Sequence, residues 1–120
     1  MFGALLLLGS LLHAGGSIAH YGFGTQELVW ALSGSLAGSL TAIINLVRCE
    51  RSSDFTISVI ALISSVGWLA VALGFGAAIG ALFDPRVLWH AICALVLAAF
   101  SLRAMRQDPG RKVAAGSRAA

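Results

Sequence analysis

The chain has 120 residues, of which 58% are hydrophobic and only 11% charged, where an ordinary soluble domain carries roughly 25% charged residues. So short a chain leaves much of its surface exposed, which excludes a water-soluble globule and leaves a single domain in a lipid bilayer. The net charge of +3 does not point to nucleic acid, because the basic residues fall at the gaps between apolar segments.

Four apolar segments follow one another. The first covers about 2–21 and contains no Lys, Arg, Asp or Glu, enough to cross roughly 30 Å of hydrocarbon with about 20 residues. Its first sixteen residues loosely resemble a signal peptide. The basic start of such a peptide is missing and the apolar character continues to Ile18, so it reads as a span. Gly22, Gly24 and Thr25 mark a short turn. The second span covers about 28–47, followed by a polar loop from Arg48 to Asp54, with Asp54 as the expected N-cap of the next helix. The third, about 55–82, is long enough to require tilting or a break, expected at Gly74 and Gly76. Asp84-Pro85 opens the fourth span, Asp84 as N-cap and Pro85 as first helical residue. This span covers about 87–102 and extends to about 104 if Arg103 snorkels. Asp108-Pro109-Gly110 should end it, leaving 107–120 as a flexible basic tail after a transmembrane domain of 1–106.

Charge orients the bundle. Arg48, Arg51, Arg103, Arg106, Arg111, Lys112 and Arg118 share one side if there are four crossings, and only Arg86 lies on the other. Positive residues mark the cytoplasmic side, so both termini are expected in the cytoplasm, in a plasma membrane and by size a bacterial inner membrane. The basic tail would touch anionic headgroups. Cys49 and Cys93 fall on a cytoplasmic loop and inside the membrane, so no disulfide is expected, and no metal-type spacing occurs.

Each span carries small and polar residues at helical spacing. In the first these are Gly9, His13, Gly16 and His20, flanked by Ser10 and Ser17, opposite Leu7, Leu11 and Ile18. In the second they are Glu27, Ala31, Gly34, Gly38, Thr41 and Asn45. The third has Asp54, Ser58, Ala61, Ser65, Trp68, Ala72 and Gly76, and the fourth has Arg86, His90, Cys93 or Ala94, Leu97 and Ser101. Lipid is as apolar as Leu, so helices associate through small residues that allow close approach and through Ser, Thr or Asn hydrogen bonds. Gly34-x-x-x-Gly38 and Gly76-x-x-x-Gly80 fit that use, within the bundle or in a homo-oligomer. Asn45 is expected to bond between helices.

Candidate chemistry centres on the histidines. His13 is expected near the midplane, and His20 and His90 near the outer surface together with Glu27 and Asp84. Imidazole and carboxylate suit a divalent metal held by His20, His90, Glu27 and Asp84. A b-type haem could use His20 with His90, or His13 with another ligand. A polar path along His13, Asn45, Ser65 and Trp68 is a third use, weakened because no acidic or basic residue lies at the midplane. Packing and interfacial placement explain the same residues more simply. Trp30, Trp89 and Tyr21 are expected at the outer interface, and Trp68 and Cys93 in the core.

No catalytic triad, phosphate-binding loop or haem-attachment sequence is present, so neither an enzyme nor a resident cofactor is expected, and no small-molecule substrate is indicated. The size and four-span plan are similar to those of small multidrug transporters, but the first span lacks the intramembrane acidic residue on which such a transporter relies. The expectation is an all-α four-helix membrane protein acting through helix contacts as an accessory or oligomeric subunit, with histidine-based metal or haem binding or transport as the alternative.

Overall fold

A computed structural model describes residues 1–107. Four helices occupy it: α1 (Phe2–His20), α2 (Gln26–Glu50), α3 (Phe55–Ala78) and α4 (Pro85–Gln107). Among the described residues there is no strand. All four helices are long and apolar enough to cross a membrane. The helices α1 and α2 form one hairpin and α3 and α4 another. The packing of α2 on α3 and of α1 on α4 closes the bundle, with Phe2 and Gln107 at the same end. The stop at Asp108-Pro109-Gly110 and the tail lie outside the described residues.

The core is inside-out relative to a water-soluble one. Its buried residues are mostly small: Ser10, Ser17, Ser35, Ser58, Ser65 and Ser101 with Ala42, Ala61, Ala72, Ala91, Ala94 and Ala98. Leu8, Leu11, Leu36, Ile63, Val71 and Leu95 stand on the outside. Buried hydroxyls are harmless here because most donate to the carbonyl one turn back: Ser10 to Leu6 at 3.0 Å, Ser35 to Ala31 at 3.0 Å, Ser65 to Ala61 at 2.7 Å. Close helix approach, rather than exclusion of water from large side chains, holds such a bundle together.

The helix boundaries follow the local chemistry. Thr25 caps α2 by accepting from the Leu28 N–H at 3.3 Å, and Gly24 precedes it at φ 81°. Asp54 caps α3 through the Ile57 N–H at 3.0 Å, as its position predicted, and Asp84 accepts from the Arg86 N–H at 2.8 Å at the start of α4. The end of the third span departs from expectation. Gly74 and Gly76 stay helical, and α3 stops at Ala78 instead of continuing to 82. Gly80, at φ 66°, adopts the left-handed conformation after the cap. The Ala81 N–H then reaches the Gly76 carbonyl at 2.9 Å and the Gly80 N–H reaches Ala77 at 3.1 Å. These two bonds make a Schellman stop. Gly80 therefore terminates α3, and nothing within the bundle packs against it.

The buried faces of α3 and α4 and of the second half of α2 match the stripes read from the sequence, with Gly38, Thr41 and Asn45, then Ser58, Ala61, Ser65, Ala72 and Gly76, then Cys93, Ala94, Leu97 and Ser101 all buried, whereas in the first half of α2 Leu28 and Ser35 are buried in place of Glu27, Ala31 and Gly34. Arg86, assigned to the α4 stripe, is instead exposed and turned back to Asp84. The α1 stripe is rotated. Its buried residues are Gly3, Leu6, Ser10 and Ser17, with Ser10 and Ser17 one residue step from Gly9 and Gly16, about 100° around the helix.

Candidate functional site

Polar contacts across helix seams fall in two layers. In the layer nearer the chain ends, Asn45 of α2 donates through Nδ2 to Ser65 Oγ of α3 at 2.9 Å and to its own Thr41 carbonyl at 2.9 Å. The Ser101 hydroxyl of α4 lies 3.4 Å from Asn45 Oδ1 and 2.9 Å from the Leu97 carbonyl, so its one proton serves either acceptor. All three residues are fully buried. One amide thus bridges three helices, at a depth where a mismatch in register would leave it unpaired. No base stands beside either hydroxyl, since both are turned to carbonyl oxygens. The cluster fastens helices and has no arrangement for nucleophilic chemistry.

The second layer is built from two indoles seated on two glycines. A Cβ at Gly38 would lie 2.8 Å from Trp68 Cζ2 and 2.5 Å from Ser10 Oγ, and a Cβ at Gly9 would lie 2.6 Å from Trp89 Nε1. Both positions need glycine for the close approach. Trp68 Nε1 donates to His90 Nδ1 at 3.3 Å, the rings meeting edge to face at 73° with centroids 5.6 Å apart. That bond requires an unprotonated Nδ1, so the neutral ring carries its proton on Nε2. Trp89 Nε1 donates to the Leu5 carbonyl at 3.1 Å. Trp89, near the start of α4, packs against α1 while 42% of it remains exposed. Trp30, by contrast, is open at 71%.

The histidines separate. The His90 ring lies 3.4 Å from where a Cβ of Gly9 would stand. His20 is eleven residues further along α1, about 16 Å at 1.5 Å per residue. His20 and His90 are thus not at one depth, and the structure does not bring them together as paired ligands. His13, one turn beyond Gly9, is the histidine nearer to His90. His13 and His20 are both exposed, and His20 meets Tyr21 edge-on at 5.0 Å. Glu27 is exposed on the first turn of α2. Asp84 is engaged by Arg86, whose Nη2 lies 2.8 Å from Oδ2. The guanidinium and the N–H of Arg86 together hold the Asp84 carboxyl down at about 2. Among the described residues no group of three or more His, Cys, Asp or Glu is placed to hold a metal ion.

The glycines divide in the same way. Gly9, Gly38 and Gly76 sit at close approaches, Gly76 with a Cβ position 2.9 Å from Val87 Cγ1. Gly16, Gly34 and Gly80 have nothing within 4 Å of theirs and do not pack within the bundle. Gly16 is on the uncovered side of α1, Gly34 at the edge of the α2 seam, and Gly80 beyond the end of α3. Sequence periodicity missed the two indole seats, because nothing local pairs Trp68 with Gly38 or Trp89 with Gly9, residues 30 and 80 positions apart. Comparison with protein-family models, with curated proteins and with solved structures returned no match.

Proposed function

We propose that the protein spans a plasma membrane, in bacteria the inner membrane, four times with both termini in the cytoplasm. It acts without catalysis, through contacts of its helix faces with a second copy or another membrane subunit. The observation that carries this reading is the face of α1 bearing His13, Gly16 and His20. It is helically spaced and polar, yet exposed, with nothing near Gly15 or Gly16. An imidazole facing lipid is expensive, and a small-residue face lets another helix approach closely and supply its hydrogen bonds. The bundle leaves this face open for a geometric reason. Trp89 meets α1 at Leu5 only four residues into α4. About 16 Å of α1 beyond Gly9 therefore faces only about 6 Å of α4. The placement of Arg48, Arg51, Arg103 and Arg106 at the end that carries Phe2 and Gln107 supports the orientation.

Crosslinking of the purified protein and native electrophoresis test the association. A homo-oligomer or co-purifying subunit that disappears in Gly16→Leu supports it, whereas a monomer in both proteins rejects it. Reporters fused after residues 24 and 115 should report opposite compartments. A second reading is a haem or divalent metal bound by His90 with His13, the nearer imidazole, for which His90 would first have to give up its bond from Trp68, since a neutral ring has only one acceptor nitrogen. A Soret band, or stoichiometric metal lost in His90→Ala, would select it over the first.

A further inference from the structure

The end of the bundle that carries the termini has a feature unrelated to the α1 face. Arg48, in the last turn of α2, is buried, with only 6% of its surface exposed. Its Nε is enclosed and has no hydrogen-bond partner among the described residues, where the side chain's one hydrogen bond is a long contact of 3.7 Å from Nη2 to Cys49 Sγ. Among the described residues the only ion pair is Asp84–Arg86, at the opposite end. Glu50 and Asp54, the acids flanking this loop, make no ion pair with Arg48, and Asp54 is committed to capping α3. Among the described residues the guanidinium thus has its Nε enclosed and no counter-charge beside it, a costly arrangement unless an anion completes it.

Arg48 lines a cleft of 450 Å³ between the α2–α3 loop and the end of α4. Arg103, Ser52, Ser53 and Gln107 line it as further polar residues, and Phe100 and Ala104 as apolar ones. Arginine presents a planar fork of donors that matches the oxygens of a phosphoryl group. Two such forks with two hydroxyls suit one tetrahedral anion, and the apolar wall suits a chain attached to it.

We propose that this cleft binds a phosphoryl anion, held by Arg48 and Arg103 with help from Ser52 and Ser53. The source is either the headgroup of an anionic phospholipid or a phosphorylated solute. This site does not depend on the association proposed for α1, and Gly16→Leu should leave it intact.

The test uses the full chain in phosphatidylcholine nanodiscs, with thermal unfolding followed as phosphatidylglycerol is added to the lipid or inorganic phosphate to the buffer. Either addition should raise Tm in the wild type. A response to phosphatidylglycerol alone assigns the site to lipid, and a response to phosphate assigns it to a solute. Arg103→Gln, at an exposed position, should weaken the response by about tenfold in midpoint concentration, the loss of one charge-assisted contact. Arg48→Met should abolish the response while leaving Tm in pure phosphatidylcholine unchanged or higher, because it removes an uncompensated charge. A merely structural Arg48 would instead lower Tm there. A chain with Arg111, Lys112 and Arg118 changed to Gln should keep the full response, which separates the cleft from general attraction of the tail. The proposal is overturned if neither addition shifts the wild type, or if the shift survives in Arg48→Met and vanishes with the tail charges.

Discussion

Helices α1 and α3 look alike in sequence, each an apolar span with one stripe of small and polar residues, yet the bundle uses them differently. The α3 stripe is the buried face, with Ser58, Ala61, Ser65, Ala72 and Gly76 all covered. On α1 the corresponding stripe is covered at Gly9 alone, while His13, Gly16 and His20 remain open. A small-residue stripe therefore marks a surface suited to a helix without saying which helix. In α3 the partners are α2 and α4, supplied by the same chain. For the open part of α1 the proposed partner is another chain.

The sharpest way to break this contrast is a matched pair of substitutions. Gly38→Leu forces a side chain into Trp68 and Ser10 and should destabilise the bundle by about 3 kcal/mol. Gly16→Leu should change unfolding by less than about 0.5 kcal/mol while eliminating the crosslinked species. Reversible SDS unfolding in mixed micelles measures both, and equal effects would erase the distinction between the two helices. Next in size, Asn45→Ala removes the amide that joins α2, α3 and α4 and should cost about 2 kcal/mol. Ser65 and Ser101 retain their own carbonyl acceptors, so the loss is confined to the bridge.

Trp89→Phe keeps the ring on Gly9 but loses the bond to the Leu5 carbonyl, an effect of about 1 kcal/mol. It tests whether α1 is held on α4 at that one level. The smallest effect concerns Asp84. Its carboxyl is held at about 2 in the folded chain, below its ordinary 3.8, so its contribution is fully present above that ordinary value and is lost as pH falls through about 2. Stability should be flat from pH 7 to about pH 4 on this account. Asp84→Asn should reduce the acid loss without moving the Asn45 network.

Much of this protein was legible without coordinates. The four helices, the caps at Asp54 and Asp84, and the inward faces of α3, α4 and the second half of α2 follow from apolar runs, punctuation and 3.6-residue spacing, because a chain with so few charges has few other ways to satisfy its backbone in lipid. Asn45 could be assigned a helix-bridging role for the same reason, although its partners Ser65 and Ser101 could not be singled out.

Tertiary structure decided what spacing leaves open. The rotation of α1 depends on where Trp89 and Leu6 lodge, and Gly3 and Ser10 are as small as Gly9 and Gly16, so periodicity could not choose between faces one residue apart. The fate of Gly80 depended on a backbone φ rather than on its distance from Gly76. The separation of His20 from His90 came from the stagger between α1 and α4, and the enclosure of Arg48 from the fold of the α2–α3 loop against the end of α4. Local sequence specifies which segments become helices and which faces suit another helix. Only the packed bundle determines how far one helix slides and turns against the next, because that choice is made by contacts between residues tens of positions apart.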